Sequence, residues 1–203
     1  MTAPVRRLAL AGLGTALLGA AAALYVGAVR TDAGQERDIV LFAEAQGANA
    51  VLEGPASLLR GALPPVLVVV CAVLAVAAVV ARRWRSLVAG TVIVAAATLG
   101  SRWLQTALDR PYLGEHGYTD NTFPSGHVAV TTALVVAVIL LWPTSSRRAP
   151  LIVAPVVVAV TCLASVVGHA HRPSDVVGAV LLAGGLACLT TATCGPPAVR
   201  QER

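Results

Sequence analysis

Charge is what this chain has least of. Asp, Glu, Lys and Arg make up 12% of its 203 residues and aromatic residues only 4%. A soluble domain of this length needs a polar shell, and a mean hydropathy of +0.77 excludes one. Lysine is missing: all 15 basic residues are arginine, which, with the abundant Ala, Val and Gly, suggests a GC-rich bacterial coding sequence. Cys71, Cys162, Cys188 and Cys194 show no CxxC spacing and fall in or near apolar runs. That pattern argues against a zinc site or a disulfide framework and for buried, inert thiols. The net charge of +5 does not call for nucleic acid, because the longest basic run, Arg82-Arg83-Trp84-Arg85, suits a cytoplasmic loop.

Apolar sequence is what remains, and it falls into six segments: about 8–29, 63–81, 87–108, 127–142, 151–167 and 174–194. At roughly 20 residues per span, the spacing predicts an all-α, six-helix transmembrane bundle forming one domain over 1–203. The first segment has the basic start of a signal peptide, but its apolar stretch is too long for one and more spans follow. The polar stretch 30–60 predicts an amphipathic or interfacial helix around 40–59. Arg6, Arg7, Arg82, Arg83, Arg85, Arg147, Arg148, Arg200 and Arg203 fall on one side of this bundle. Arg30, Arg37, Arg60, Arg102, Arg110 and Arg172 fall on the other, with nearly all the acids. The positive-inside rule then predicts a cell-membrane protein with both termini cytoplasmic. The loops 109–125 and 168–174 share the outer face.

Those two loops hold the residues capable of chemistry, and ionisable groups at the ends of membrane segments are costly and rarely idle. Pro124-Ser125-Gly126-His127 opens the fourth span. Ser125 at the N-cap followed by Gly126 leaves backbone N–H groups at the positive end of a helix dipole, an anion site, with His127 placed to donate a proton. In His171-Arg172-Pro173-Ser174-Asp175, Pro173 suits a first helical turn, so Asp175 can accept from the His171 ring and make its other nitrogen a nucleophile. Arg110, before Pro111, can hold phosphate oxygens bidentately, and Arg102 lies two turns earlier. Glu115, His116, Asp120 and Asn121 share the same loop. Each feature taken singly also has a structural reading, as a helix cap, a dipole partner or an interfacial side chain.

Together, Arg-Pro, then Pro-Ser-Gly-His, then His-x-x-x-Asp, each at the outer end of a span, closely resemble the type 2 phosphatidic acid phosphatase (PAP2) superfamily. The resemblance covers about 102–178 and the six-span layout. It implies a bundle related in fold to vanadium haloperoxidases and a metal-independent membrane phosphatase without a cofactor. The implied substrate is a lipid phosphate or polyprenyl diphosphate drawn from the surrounding membrane lipids. By the same resemblance, His171 attacks phosphorus to form a phosphohistidine, Asp175 orients it, and His127 protonates the leaving group. Arg110, Ser125 and Gly126 hold the phosphate oxygens.

Two cations depart from the family pattern. Its first motif has a lysine at the position of Trp103, with Arg102 here one place earlier, and one residue turns a helix by about 100°. Its third motif has an arginine at the position of Ser165, near which only His169 and Arg172 offer replacements. An electrostatic clamp residue is worth on the order of 10²–10³ in rate, so its loss slows such an enzyme without abolishing it. The alternative reading is a weak or inactive relative that binds lipid phosphates or acts as a scaffold.

Overall fold

A computed structural model describes residues 2–111, 121–143 and 146–194. Among these residues the chain is all α-helical, with no strand: α1 (Ala3–Leu24), a short π-helical turn (Tyr25–Val29), α2 (Asp32–Gln46), α3 (Asn49–Val80), α4 (Trp84–Ala107), α5 (Gly126–Leu141), α6 (Arg148–Val167) and α7 (Pro173–Cys194). Five helical stretches are long and apolar enough to cross a membrane: Ala3–Val29, Val51–Val80, Trp84–Ala107, Arg148–Val167 and Pro173–Cys194. The protein is thus a multi-pass membrane protein. The remaining apolar segment, the fourth in sequence, is α5, which has only 16 residues, about 24 Å at 1.5 Å per residue, short of a typical bilayer core.

The short helix is the central one. α5 packs against α3, α4, α6 and α7, and ten of its residues are buried, Thr131 and Thr132 among them. Packing relies on small side chains, as expected where helices gain nothing from leaving water and associate by close approach. Ala89, Ile93 and Ala97 of α4 meet Ala133 of α5 and Ala183 and Ala187 of α7. α1 lies along α7, where a Cβ at Gly14 would come within 2.8 Å of Leu189 and 3.0 Å of the Gly185 carbonyl.

The polar region 30–60 differs from the single helix expected around 40–59. α2 ends at Gln46, and after Gly47-Ala48 the chain starts a 32-residue helix, α3, that runs on into the second span through Pro55, Pro64 and Pro65. Some polar side chains in and just before this region are tied inward. Tyr25 Oη donates to the Asp109 carbonyl at 2.6 Å, and Gln35 Nε2 donates to the carbonyls of Val29 at 2.7 Å and Pro111 at 2.9 Å. Asp38 reaches the start of α7, accepting from Ser174 N–H at 2.8 Å and Ser174 Oγ–H at 2.6 Å. This caps one helix from another and sets a carboxylate at the positive end of the α7 dipole.

Burial pushes the Asp38 carboxyl up from its ordinary value, against the downward pull of the two Ser174 hydrogen bonds. A carboxyl raised in the fold contributes stability below its unfolded value and loses it as pH rises through the folded one. Asp38→Ala is expected to cost about 1–2 kcal/mol of stability, and Asp38→Asn, which keeps an acceptor for the Ser174 N–H, less. Thermal midpoints in detergent should show the wild type losing ground to Asp38→Asn as pH rises above the ordinary carboxylate range of about 4; a constant difference would refute the assignment.

Candidate active site

Asp175 lies in the first turn of α7 and is fully buried. A carboxylate taken out of water must be paired and hydrogen-bonded, and three segments of chain meet that demand. Arg110 Nη2 sits 2.5 Å from Oδ1. Thr122 Oγ1 donates to Oδ2 at 2.6 Å and the Arg172 backbone N–H at 3.2 Å. His171 Nδ1 lies 3.6 Å from the same Oδ2, within ion-pair reach but longer than a hydrogen bond. Arg110 thus rests on the carboxylate, where sequence alone placed it on phosphate, while its buried Nε has no partner.

The main chain joins the second motif to this cluster, since Ser125 N–H donates to the Asp175 carbonyl at 2.9 Å. Ser125 is the N-cap of α5, its Oγ accepting from Val128 N–H at 3.4 Å, as Pro-Ser-Gly-His predicts. Being fully buried, this hydroxyl serves the cap in the resting structure. The turn is held from behind by Phe123, whose ring stacks at a tilt on Tyr25. A side chain at Gly178 would overlap that ring.

His127 faces elsewhere. With Gly126 it lines a cavity of about 310 Å³ whose other walls are Pro64 of α3, Thr98, Ser101, Arg102 and Gln105 of α4, and Val130. Arg102, exposed at its residue level, therefore shares a cavity with His127 and not with the Asp175 cluster. The His127 ring is held by α3: Nε2 lies 3.2 Å from the Arg60 carbonyl. In an unbroken helix that carbonyl would accept from the N–H four residues on, but residue 64 is proline and has none. Because a carbonyl only accepts, the bond requires the proton on Nε2.

The possible replacements at the third motif fall apart. His169, at φ 56°, turns its ring edge-on to Phe42. Arg172 is buried and its backbone serves Asp175. Ser165 is buried, its Oγ without a partner, while its carbonyl accepts from the N–H groups of Ala170 at 3.1 Å and His171 at 3.2 Å, shaping the turn that carries His171. Asn121 braces the 121–123 turn through Leu104 and Phe123. Glu115, His116 and Asp120 lie outside the described residues. Sequence reasoning missed Thr122, Asp38 and Arg60, all common polar residues without a motif of their own.

The site is a buried carboxylate–guanidinium–imidazole cluster, joined by main chain to a Ser-Gly helix N-terminus on an apolar helical scaffold, and such helix N-termini and cations suit an anion. The model of the PAP2 superfamily matches residues 101–195 of this chain, and the match implies phosphatase-type activity. No curated protein and no solved structure matches the chain.

Arg110→Ala strands the Asp175 charge in the interior and should cost about 3–5 kcal/mol. Adding Asp175→Asn should recover part of that loss in denaturation measurements, whereas strictly additive losses would show the pair to be uncoupled. Pro64→Ala restores an N–H to the Arg60 carbonyl in competition with His127. It should leave the protein as stable or more so, lower phosphatase activity and move its pH profile. An unchanged profile would show that the carbonyl does not position His127.

Proposed function

We propose that the protein is a membrane phosphatase that hydrolyses a lipid phosphate or polyprenyl diphosphate through a phosphohistidine on His171. The observation that carries this reading is the Ser125–Asp175 main-chain bond, which makes the turns bearing His127 and His171 neighbours. Around them six spans are proposed, α5 included, with both termini cytoplasmic and the site at the outer face. Consistent with that arrangement, Arg83 and Arg147 gather at the far end of α5, donating to the carbonyls of Leu140, Leu141 and Trp142.

In this mechanism Asp175 steadies the His171 ring from its Nδ1 side, leaving Nε2 to attack phosphorus. The N–P bond forms as the P–O bond to the lipid breaks, and the leaving oxygen takes the His127 proton. Water, its proton accepted by His127, then attacks phosphorus, the N–P bond breaks, and phosphate leaves. Charge growing on the non-bridging oxygens is met by the Arg110 Nε–H and the N-terminus of α5, while Arg102, on the His127 side, faces the leaving group. Fixed cations and dipoles of this kind can stabilise phosphoryl transfer without a metal. One observation favours the weaker alternative, a binder of lipid phosphates: Arg110 is committed to Asp175 at 2.5 Å, which leaves it fewer donors for substrate.

Phosphate release from a panel of lipid phosphates in detergent, with EDTA present, tests the reading. His127→Ala should lose about 10²–10⁴-fold in rate, and His171→Ala should fall to background. Rapid acid-free quench of the wild type should trap an acid-labile phosphoenzyme. Equal release by wild type and His171→Ala would overturn the role of His171, and phosphate binding without turnover would favour the binder.

A further inference from the structure

Arg60 touches both histidine-bearing turns. Its carbonyl holds the His127 ring at 3.2 Å, and its side chain crosses to the turn that leads into His171. There Nη1 lies 3.5 Å from the Gly168 carbonyl, and a Cβ on Gly168 would come within 3.4 Å of it. Its Nε is buried without a partner. Among the described residues no carboxylate lies within ion-pair distance of Arg60.

The plain explanation is that Arg60 caps α6, since a cation is welcome at a helix C-terminus. That end is already served. Asn49 Nδ2 donates to the Val167 carbonyl at 2.6 Å, and Gln46 Nε2 reaches the Val166 carbonyl at 3.5 Å. A guanidinium carries five N–H donors in a fixed fork. One bond at the outer limit of length and a buried idle Nε leave it far from satisfied, and unpaired buried donors are costly. An anion with several oxygens would satisfy it. The charge balance points the same way, because Arg110 is matched by Asp175 while Arg60 is matched by nothing described.

We propose that Arg60 is a phosphate-binding residue of this site, its guanidinium taking non-bridging oxygens between the His127 and His171 turns. The inference rests on the phosphatase reading and adds to it a cation supplied by α3.

The test compares full-length wild type, Arg60→Gln, Arg60→Lys and Asn49→Ala in detergent. Three quantities are read: the thermal midpoint, affinity for inorganic phosphate as a competitive inhibitor, and KM and kcat for dioleoyl phosphatidate in mixed micelles. Arg60→Gln should weaken phosphate affinity and raise KM by about 10–100-fold with little change in thermal midpoint. Asn49→Ala should do the reverse. Arg60→Lys, a cation without the fork, should fall between wild type and Arg60→Gln, and it decides the matter if Arg60→Gln does not fold. Phosphate affinity unchanged in the Arg60 variants, with stability lost as in Asn49→Ala, would reduce Arg60 to a helix cap. A wild type that neither binds nor releases phosphate would overturn the phosphatase reading, and the proposal with it.

Discussion

The burial of one carboxylate organises the histidine-bearing end of this molecule. Asp175 is charged and out of water, a state that persists only if neighbouring chain supplies donors. The side chains of Arg110 and Thr122 come from the segment between α4 and α5, and the Arg172 N–H from the turn before α7. Its own carbonyl takes the Ser125 N–H. One residue thereby fixes where α4 ends, where α5 begins and how the His171 turn approaches both. Because these bonds satisfy the carboxylate at rest, the site needs no large rearrangement to be assembled.

Around that centre the region 30–60 supplies hydrogen bonds where helices end. In an apolar setting, each helix terminus exposes carbonyls or N–H groups that water does not reach. Asp38 meets the first turn of α7, Gln46 and Asn49 meet the last carbonyls of α6, and Gln35 bridges Val29 to Pro111. Composition marks the region as amphipathic, and the polar side chains of Gln35, Asp38, Gln46 and Asn49 are the ones it turns inward, while Glu36, Arg37, Glu44 and Glu53 stay exposed. The same bonds anchor the segment that carries Arg110, so the strap formed by α2 belongs to the support of the site.

What could be read from the sequence was local. The starts of α5 and α7 were legible because Ser125 and Pro173 are position-specific signals, and apolar runs marked the helices. The continuity of α3 was not, since Pro55, Pro64 and Pro65 argue for breaks inside what is one 32-residue helix. The partners of Asp38 and Arg60 lie 136 and 108 residues away, and no periodicity reports on such distances. Arg102 shows the limit from the other side. Its neighbourhood with His127 follows from the helix face it occupies, which a one-residue displacement in sequence leaves ambiguous.

Position 165 acts through its main chain. The carbonyl of Ser165 accepts two N–H groups from the turn that carries His171, a task any residue's main chain performs. Likewise His127 is held by the Arg60 carbonyl and the second motif by the Ser125 N–H. Main-chain bonds thus position both histidine-bearing turns, independently of which side chains lie around them. Proline at position 64 belongs to this logic, because removing one N–H from α3 creates the free carbonyl that His127 uses. A helical defect that costs stability in isolation becomes the fixed point that holds the His127 ring.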